Sequence, residues 1–424
     1  MNTFITKAIR LGLGSVITAL VLSPVVARAD VVLDWNAIMQ ATVSGQPPFP
    51  QARFAAITQL AVFEAVNAIT GHYKPYLDTT TAPAGASAEA AAVAAAHAVL
   101  RNHFPGSAAG LDAAWATSLA LIPDSPAKSA GIAVGEAAAA AIIAARANDG
   151  SGTPEFYLPT SSNPGEWQLT SSCPAAGGLF LYWRNVTPFS IRSADQFRLD
   201  PPPALTSMKY AMYYNEVKSI GSSNSTERPP DRTDVARFYA VVPPVQVWNE
   251  VARQIATAQG KSLSENARIL ALMNMAISDA GVATFDTKYH YNFWRPETAI
   301  HMGDTDNNPR TDPDSSYVPF MTTACFPSYA SAHGAAGGAA REVLERVYGG
   351  RPHNLTLATP AVPGVTLTYR KLKEITDDVD DARVYGGIHF RFDQEGGADQ
   401  GRRIGEYVYR HSLAPVRRHN FEEE

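Results

Sequence analysis

Residues 262–296 read SLSENARILALMNMAISDAGVATFDTKYHYNFWRP, and the spacing within this stretch points to a helical fold. Ser262 and Glu265 have capping-box spacing, a helix start. Behind them Leu270, Leu272, Met273, Ile277 and Ala280 recur at helical rather than alternating intervals, which predicts one long helix to at least Phe285. Lys288 and Arg295 follow seven residues apart, almost two full turns; on a continuing helix both would project from one face, about 10 Å apart. Pro296 biases Arg295 out of the helical region, so the helix is expected to end there with its last residue pointing into a loop-lined cavity. Two cations on a helix ordinarily form a solvated face or surface ion pairs. Here Tyr289, Tyr291, Phe293 and Trp294 surround them, and cations desolvated by so much aromatic surface need an anion nearby.

Two more polar clusters lie downstream. Phe326-Pro-Ser-Tyr-Ala-Ser331-Ala332-His333 runs into the small residues Gly334 to Gly338. Ser331 sits where a helix N-cap belongs, the following N–H groups form an anion-binding end, and the small residues permit close packing against a neighbouring helix. In Asp381-Ala-Arg383-Val-Tyr-Gly386-Gly387-Ile-His389-Phe-Arg-Phe-Asp393 the two glycines should break the helix. Without that break Arg383 and His389 would face different ways; with it both reach one site. Asp393, four residues after His389, is expected on the same helical face, holding the imidazole tautomer. Each cluster alone has an ordinary reading, as a cap with a structural histidine or as an ion-pair helix. Together they supply one Lys, two Arg, a Ser and two His, which are ligands for a small oxyanion. Two histidines add a nucleophile or axial ligand and a general acid–base.

The remaining sequence bounds these readings. The chain has 424 residues, 46% hydrophobic and 18% charged, enough core for an enzyme and too apolar for a disordered chain. A formal charge of -5 argues against a basic nucleic-acid or membrane-surface module. Lys7, Arg10, an apolar run over 11–26 and Ala27-Arg28-Ala29 read as a secretory signal over residues 1–29, cleaved after Ala29, with an uncleaved anchor as the alternative. The expected protein is therefore exported, periplasmic or secreted, with no membrane span in the mature chain. Cys173 and Cys325 exclude thiolate metal clusters and form either one bridge or two buried thiols. Residues 30–245 form an N-terminal helical half, with apolar faces such as Phe54, Ile57, Ala61 and Ala65 and a Pro-rich connector at about 150–203. Residues 246–424 carry the polar clusters. Helical periodicity also marks 205–220 and 247–258, and no alternating strand run competes, so the fold class is mostly α, a multi-helix bundle. Asp304, Asp306, Asn308, Asp312 and Asp314 read as Asx turns rather than a calcium loop, since the glycine and bidentate Glu of an EF-hand are missing. No P-loop or dinucleotide fingerprint stands out. Oligomeric state is not legible.

Lys288 to Pro296, Ser331-Ala332-His333, and Arg383 to His389 with Asp393 resemble K-x6-R-P, P-S-G-H and S-R-x5-H-x3-D. These are the motifs of the vanadium-dependent haloperoxidases and of the type-2 phosphatidic-acid phosphatase relatives that share their site. The resemblance covers roughly residues 262–410; the N-terminal half is similar only in being helical. It departs at Ala332 (usually glycine), Ala330 (usually proline) and Ala382 (often serine). The resemblance implies a haloperoxidase-type bundle with the oxyanion site within its C-terminal part and vanadate as cofactor. It implies that His389 binds vanadium, that Lys288, Arg295, Arg383, Ser331 and the Ala332 N–H hold the vanadate oxygens, and that His333 is the acid–base group. Asp393 would support His389, and Phe326 would line the halide pocket as in chloride-oxidising members. Hydrogen peroxide and halide would then be the substrates. An acid phosphatase is the alternative, with His389 attacking a phosphomonoester and His333 protonating the leaving oxygen. A third reading is an exported phosphate- or vanadate-binding protein without turnover.

Overall fold

The computed structural model describes residues 30–416; the expected export signal, residues 1–29, lies outside the described residues. Five helices come first: α1 (Val31–Val43), α2 (Pro48–Thr70), α3 (Ala88–His103), α4 (Ala108–Ala120) and α5 (Pro126–Arg146). The connector that follows contains only one short 3₁₀ turn, Leu181–Asn185. Then come α6 (Met208–Ile220), α7 (Pro230–Val241), α8 (Pro244–Gln259), α9 (Leu263–Tyr291) and α10 (Pro296–His301). The chain continues through α11 (Ala332–Tyr348), β1 (Leu355–Ala358), β2 (Thr366–Tyr369), α12 (Leu372–Tyr385) and α13 (Arg391–His411). The mostly α architecture is as expected, and local chemistry explains the starts. Ser87, Ser125, Ser207, Ser262 and Ser331 cap their helices through the side chain, and proline opens α2, α5, α7, α8 and α10. The Ser262–Glu265 capping box is formed.

Three expectations need correction. β1 and β2 pair antiparallel, Leu355 opposite Tyr369, although no strand was expected. Each has four residues, too few for alternation to show, and Leu355 and Leu357 are buried in the helical core. The helix α7, rich in charged residues, was not foreseen. Finally α2, α5 and α9 are long and apolar enough to span a bilayer by length and composition, contrary to the expectation that no segment after the signal would be. α2 and α9 are largely buried inside the protein, so their apolar faces are met by other helices.

α9 is the axis of the molecule. It is buried along almost its whole length, and α2, α8, α11 and α13 pack around it. One apolar core runs through residues of both halves, from Val31 to Leu413. The connector is pinned to this axis by a buried carboxylate: Asp279 accepts from the N–H groups of Phe189, Ser190 and Ile191 at 2.6, 2.8 and 3.0 Å. A disulfide joins Cys173 of the connector to Cys325, resolving the open alternative as a bridge.

The most extensive helix pair is α11 with α13, and it depends on side chains that are absent. A Cβ at Gly397 would lie 2.3 Å from the Ser331 carbonyl oxygen, one at Gly401 2.0 Å from that of Ala335, and one at Gly405 2.6 Å from that of Ala339. The i, i+4 spacing puts these glycines on one face, which lets the two backbones touch. Gly401→Ala is therefore expected to cost about 3 kcal/mol of stability, read as a lower urea midpoint. An unchanged midpoint would show that the helices can separate without loss.

Candidate functional site

α9 ends earlier than the sequence suggested. Asn292 adopts a left-handed conformation (φ 48°, ψ 39°), its N–H bonded to the Lys288 carbonyl, and closes the helix after Tyr291. Arg295 is extended (φ −85°, ψ 157°) and precedes Pro296 at the start of α10. Lys288 and Arg295 thus do not share one helix face, because Asn292 redirects the chain between them. They converge nonetheless: Lys288 Nζ and Arg295 Cζ lie 5.1 and 5.0 Å from the centroid of the Phe326 ring. Both are 0% exposed and Arg383 is 4% exposed.

Backbone carbonyls hold the three cations in place. Lys288 Nζ donates to the carbonyls of Pro327 and Ser328, both at 2.8 Å. Arg295 donates from Nε to Phe326 O at 2.8 Å and from Nη1 to Ile388 O at 2.9 Å. Arg383 Nη2 donates to the Tyr239 carbonyl of α7. These dipoles offset burial only in part, because Arg295 Nη2 and Arg383 Nε are buried with no partner. Burial, with Arg295 beside it, holds Lys288 well below the usual lysine range. Burial likewise brings Arg295 down to about 10 and Arg383 to about 9. Two guanidinium N–H groups without a protein partner, among three desolvated cations, form a donor set suited to a small oxyanion.

The glycine break after α12 is present. α12 ends at Tyr385, and Gly387 (φ +78°) packs so tightly that a Cβ would lie 2.3 Å from Gly221 O. His389 then stands just before α13 rather than on it, so the expected shared helical face with Asp393 is not how they meet. Asp393 is at the third position of α13 and folds back: its Oδ2 accepts from Phe390 N at 3.0 Å and contacts His389 Nδ1 at 2.8 Å. With Nδ1–H directed at the carboxylate, His389 Nε2 faces Arg295 Nη1 at 3.0 Å. Ser328, which the sequence reading passed over, donates from Oγ to the same Asp393 oxygen at 2.5 Å and is fully buried. Burial pushes the Asp393 carboxyl up to about 6.

Ser331 caps α11 as expected, its Oγ accepting from Gly334 N at 3.2 Å. Its own N–H donates to the Asp393 carbonyl at 2.8 Å, so the second and third clusters are stitched together where α11 and α13 touch. His333, in the first turn of α11, has Nε2 3.3 Å from Arg383 Nη1. Burial and the surrounding Arg383, Lys288 and Arg295 keep His333 neutral, well below the usual histidine range, and burial with the same cations does so for His389.

A cavity of about 230 Å³ opens onto this group, with Ala332, His333, Arg383 and His389 on its polar side. Its other walls are apolar: Phe49 and Ala52 of α2, Phe180 of the connector, Val245 of α8, Ile277 and Gly281 of α9, and Phe326. The sequence reading placed the site within the C-terminal bundle. The polar side chains do come from there, but the N-terminal half builds much of the wall, and nothing local in Phe49 or Phe180 announced that. The Asp304–Asp314 stretch forms Asx turns, Asp306 Oδ1 accepting from Asn308 N at 2.9 Å and Asp314 Oδ1 from Ser316 N at 2.9 Å.

Two measurements probe this geometry. Ser328→Ala takes a hydrogen bond from Asp393 and is expected to weaken orthophosphate binding about tenfold while the protein stays folded, the scale of one charge-assisted bond. Unchanged affinity by calorimetry would remove Ser328 from the site. Asp380, one turn before Arg383, has a buried, unpartnered Oδ1, and burial raises its carboxyl from 3.8 to about 7. A carboxyl raised by folding contributes stability below its unfolded value that is lost as pH rises through the folded one. Asp380→Asn should therefore gain on the parent as pH rises from about 4 to 7; a constant difference in unfolding free energy across that range would contradict this.

Comparison with known proteins agrees with the geometry. Residues 268–418 match the family model described as the VCPO second helical-bundle domain. Vanadium chloroperoxidase of Curvularia inaequalis is 23% identical over 287 residues, 52% of this chain and 46% of that protein, so the chain aligns with about half of that relative's length. A bacterial vanadium-dependent iodoperoxidase structure superposes with a TM-score of 0.75 at 25% identity, covering 91% of this chain and 96% of the other. An apo-type bacterial vanadium-dependent chloroperoxidase shares the fold, with a TM-score of 0.71 at 16% identity over 88% of this chain and 97% of the other. By matched domain and by fold, residues 268–418 carry a second helical-bundle domain of the vanadium chloroperoxidase kind, and the chain is built like the vanadium haloperoxidases it superposes on.

Proposed function

We propose that this protein is a vanadate-dependent haloperoxidase, oxidising halide with hydrogen peroxide to a hypohalous-acid-type halogenating species. The observation that carries the reading is the cluster of three buried cations with Arg295 Nη2 and Arg383 Nε unpartnered. A tetrahedral oxyanion such as vanadate fits that donor set, because it accepts several charge-assisted bonds at once and supplies the missing negative charge. When bound, vanadate would supply an electrophilic centre that activates peroxide, the metal keeping its own oxidation state while peroxide is reduced.

This chain's own residues would do the rest. Lys288, Arg295, Arg383, the Ser331 hydroxyl and the Ala332 N–H would hold the vanadate oxygens. His389, its Nδ1 pinned by Asp393, would bind vanadium through Nε2. His333 is neutral beside Arg383 and can take a proton from incoming hydrogen peroxide and return it later. An entering anion offsets the cations around His333 and raises its proton affinity toward the working range. Phe326 covers Lys288 and Arg295 and excludes water, which strengthens every charge interaction beneath it. An exported location is part of this proposal; the signal-like sequence of residues 1–29 and the Cys173–Cys325 bridge support it, since disulfides persist in oxidising compartments.

The phosphatase reading uses the same donors, with His389 Nε2 as nucleophile; the His389–Asp393 contact suits that role as well. One assay separates them. Protein stripped of oxyanions is supplied with orthovanadate and tested for iodide, bromide and chloride oxidation with peroxide, and separately for p-nitrophenyl phosphate hydrolysis. Vanadate-dependent halide oxidation is expected, lost in His389→Ala. His333→Ala should keep vanadate affinity while kcat/KM falls about 100-fold or more. Hydrolysis that vanadate inhibits, without halide oxidation, would assign the site to phosphate-ester chemistry instead.

A further inference from the structure

The cavity above the oxyanion group is larger and more apolar than peroxide and halide require. Both are small and strongly hydrated, and a path for them gains nothing from three phenyl rings. Phe49, Phe180 and Phe326 come from α2, the connector and the loop before α11. They meet edge to face, with centroids 5.0 Å apart for Phe49–Phe180, 6.3 Å for Phe49–Phe326 and 6.5 Å for Phe180–Phe326. Edge-to-face clusters of this kind accept a further ring readily. The volume, about 230 Å³, exceeds the roughly 150 Å³ of a dry apolar cavity able to hold benzene. Gly281 leaves the α9 wall bare; a Cβ there would sit 3.4 Å from Phe49 and 3.5 Å from Trp183, so a longer side chain would press the Phe49 ring toward the space.

The charge pattern restricts the guest. An organic anion would be drawn to Arg295 and Arg383 and compete with the oxyanion for them, while an organic cation would be repelled by three buried positive groups. Only an uncharged guest can share the cavity with a bound oxyanion. We propose that this cavity is a subsite for a neutral, single-ring aromatic substrate of phenol size, held beside His333 so that halogen transfer takes place inside the protein. The inference rests on the haloperoxidase reading for its chemistry, though not for its binding. In that chemistry a ring C–H bond breaks and a carbon–halogen bond forms. Halide is oxidised by two electrons and hydrogen peroxide is reduced. The ring proton, one solvent proton and the peroxide atoms leave as two waters.

The test uses the full chain, with and without orthovanadate, and phenol below its own pKa as the probe. Saturable phenol binding is expected in both forms, followed by Trp183 fluorescence because that ring packs 6.0 and 6.1 Å from Phe49 and Phe180. Cyclohexanol should bind at least about tenfold more weakly, the loss expected of a guest without a π-face. Benzoate should compete with orthophosphate. Gly281→Val should lower phenol affinity by about tenfold or more, the scale of overfilling a packed space. In the loaded parent, the para-to-ortho ratio of bromophenol should differ from that given by reagent hypobromite, and in Gly281→Val it should move back toward it. Absence of saturable phenol binding in both forms of the parent, or a product ratio equal to the reagent's, overturns the subsite even if halide oxidation is intact. Phenol binding without any vanadate-dependent halide oxidation would sustain the subsite and overturn the proposed function instead.

Discussion

Backbone contact between α11 and α13 is the constraint on which the rest of the structure depends. Gly397, Gly401 and Gly405 bring their helix against the carbonyls of Ser331, Ala335 and Ala339, closer than any pair bearing side chains could come. Ser331, His333, His389 and Asp393 all sit at the joined ends of these two helices. The Ser331 N–H to Asp393 carbonyl bond ties the end of α11 that carries His333 to the start of α13 beside His389, and both histidines line the cavity.

That geometry is held against an electrostatic cost. Lys288, Arg295 and Arg383 are buried together, with Asp393 the one carboxylate directly among them within the described residues, and its carboxyl is itself pushed up by burial. The fold compensates with carbonyls of Phe326, Pro327, Ser328, Ile388 and Tyr239 rather than with more acids. Carbonyl dipoles steady the cations without neutralising them, so the positive field remains available to a guest. The arrangement is less stable alone than with an anion, which is the expected trade between stability and function.

The N-terminal half and the connector complete the site from outside. Asp279 fastens the connector to α9 through three backbone N–H groups, which places Phe180 over the cavity. The Cys173–Cys325 bridge anchors the same connector at the residue before Phe326. α2, buried along α9, contributes Phe49. The ring-lined space therefore belongs to no single stretch of chain.

Much of this was legible in the linear sequence wherever the physics is local. Ser262 with Glu265 started α9, Ser331 capped α11, Gly386 and Gly387 broke the chain before His389, and the three clusters nominated the oxyanion donors, because caps, breaks and helical periods depend on neighbours a few residues away. The path between Lys288 and Arg295 was misread since the turn at Asn292 is a left-handed conformation that the sequence permits but does not demand. The hairpin β1–β2 escaped because four-residue strands carry too little pattern. Ser328 and Asp380 acquire their roles only through partners or burial supplied by distant segments, and Phe49 and Phe180 are ordinary apolar residues until packing brings them together. Sequence by itself determined the helical class, the start of α9 and which charged groups must be buried; tertiary structure decided what those groups surround, because a cavity is made by surfaces far apart in the chain whose meeting no local interaction encodes.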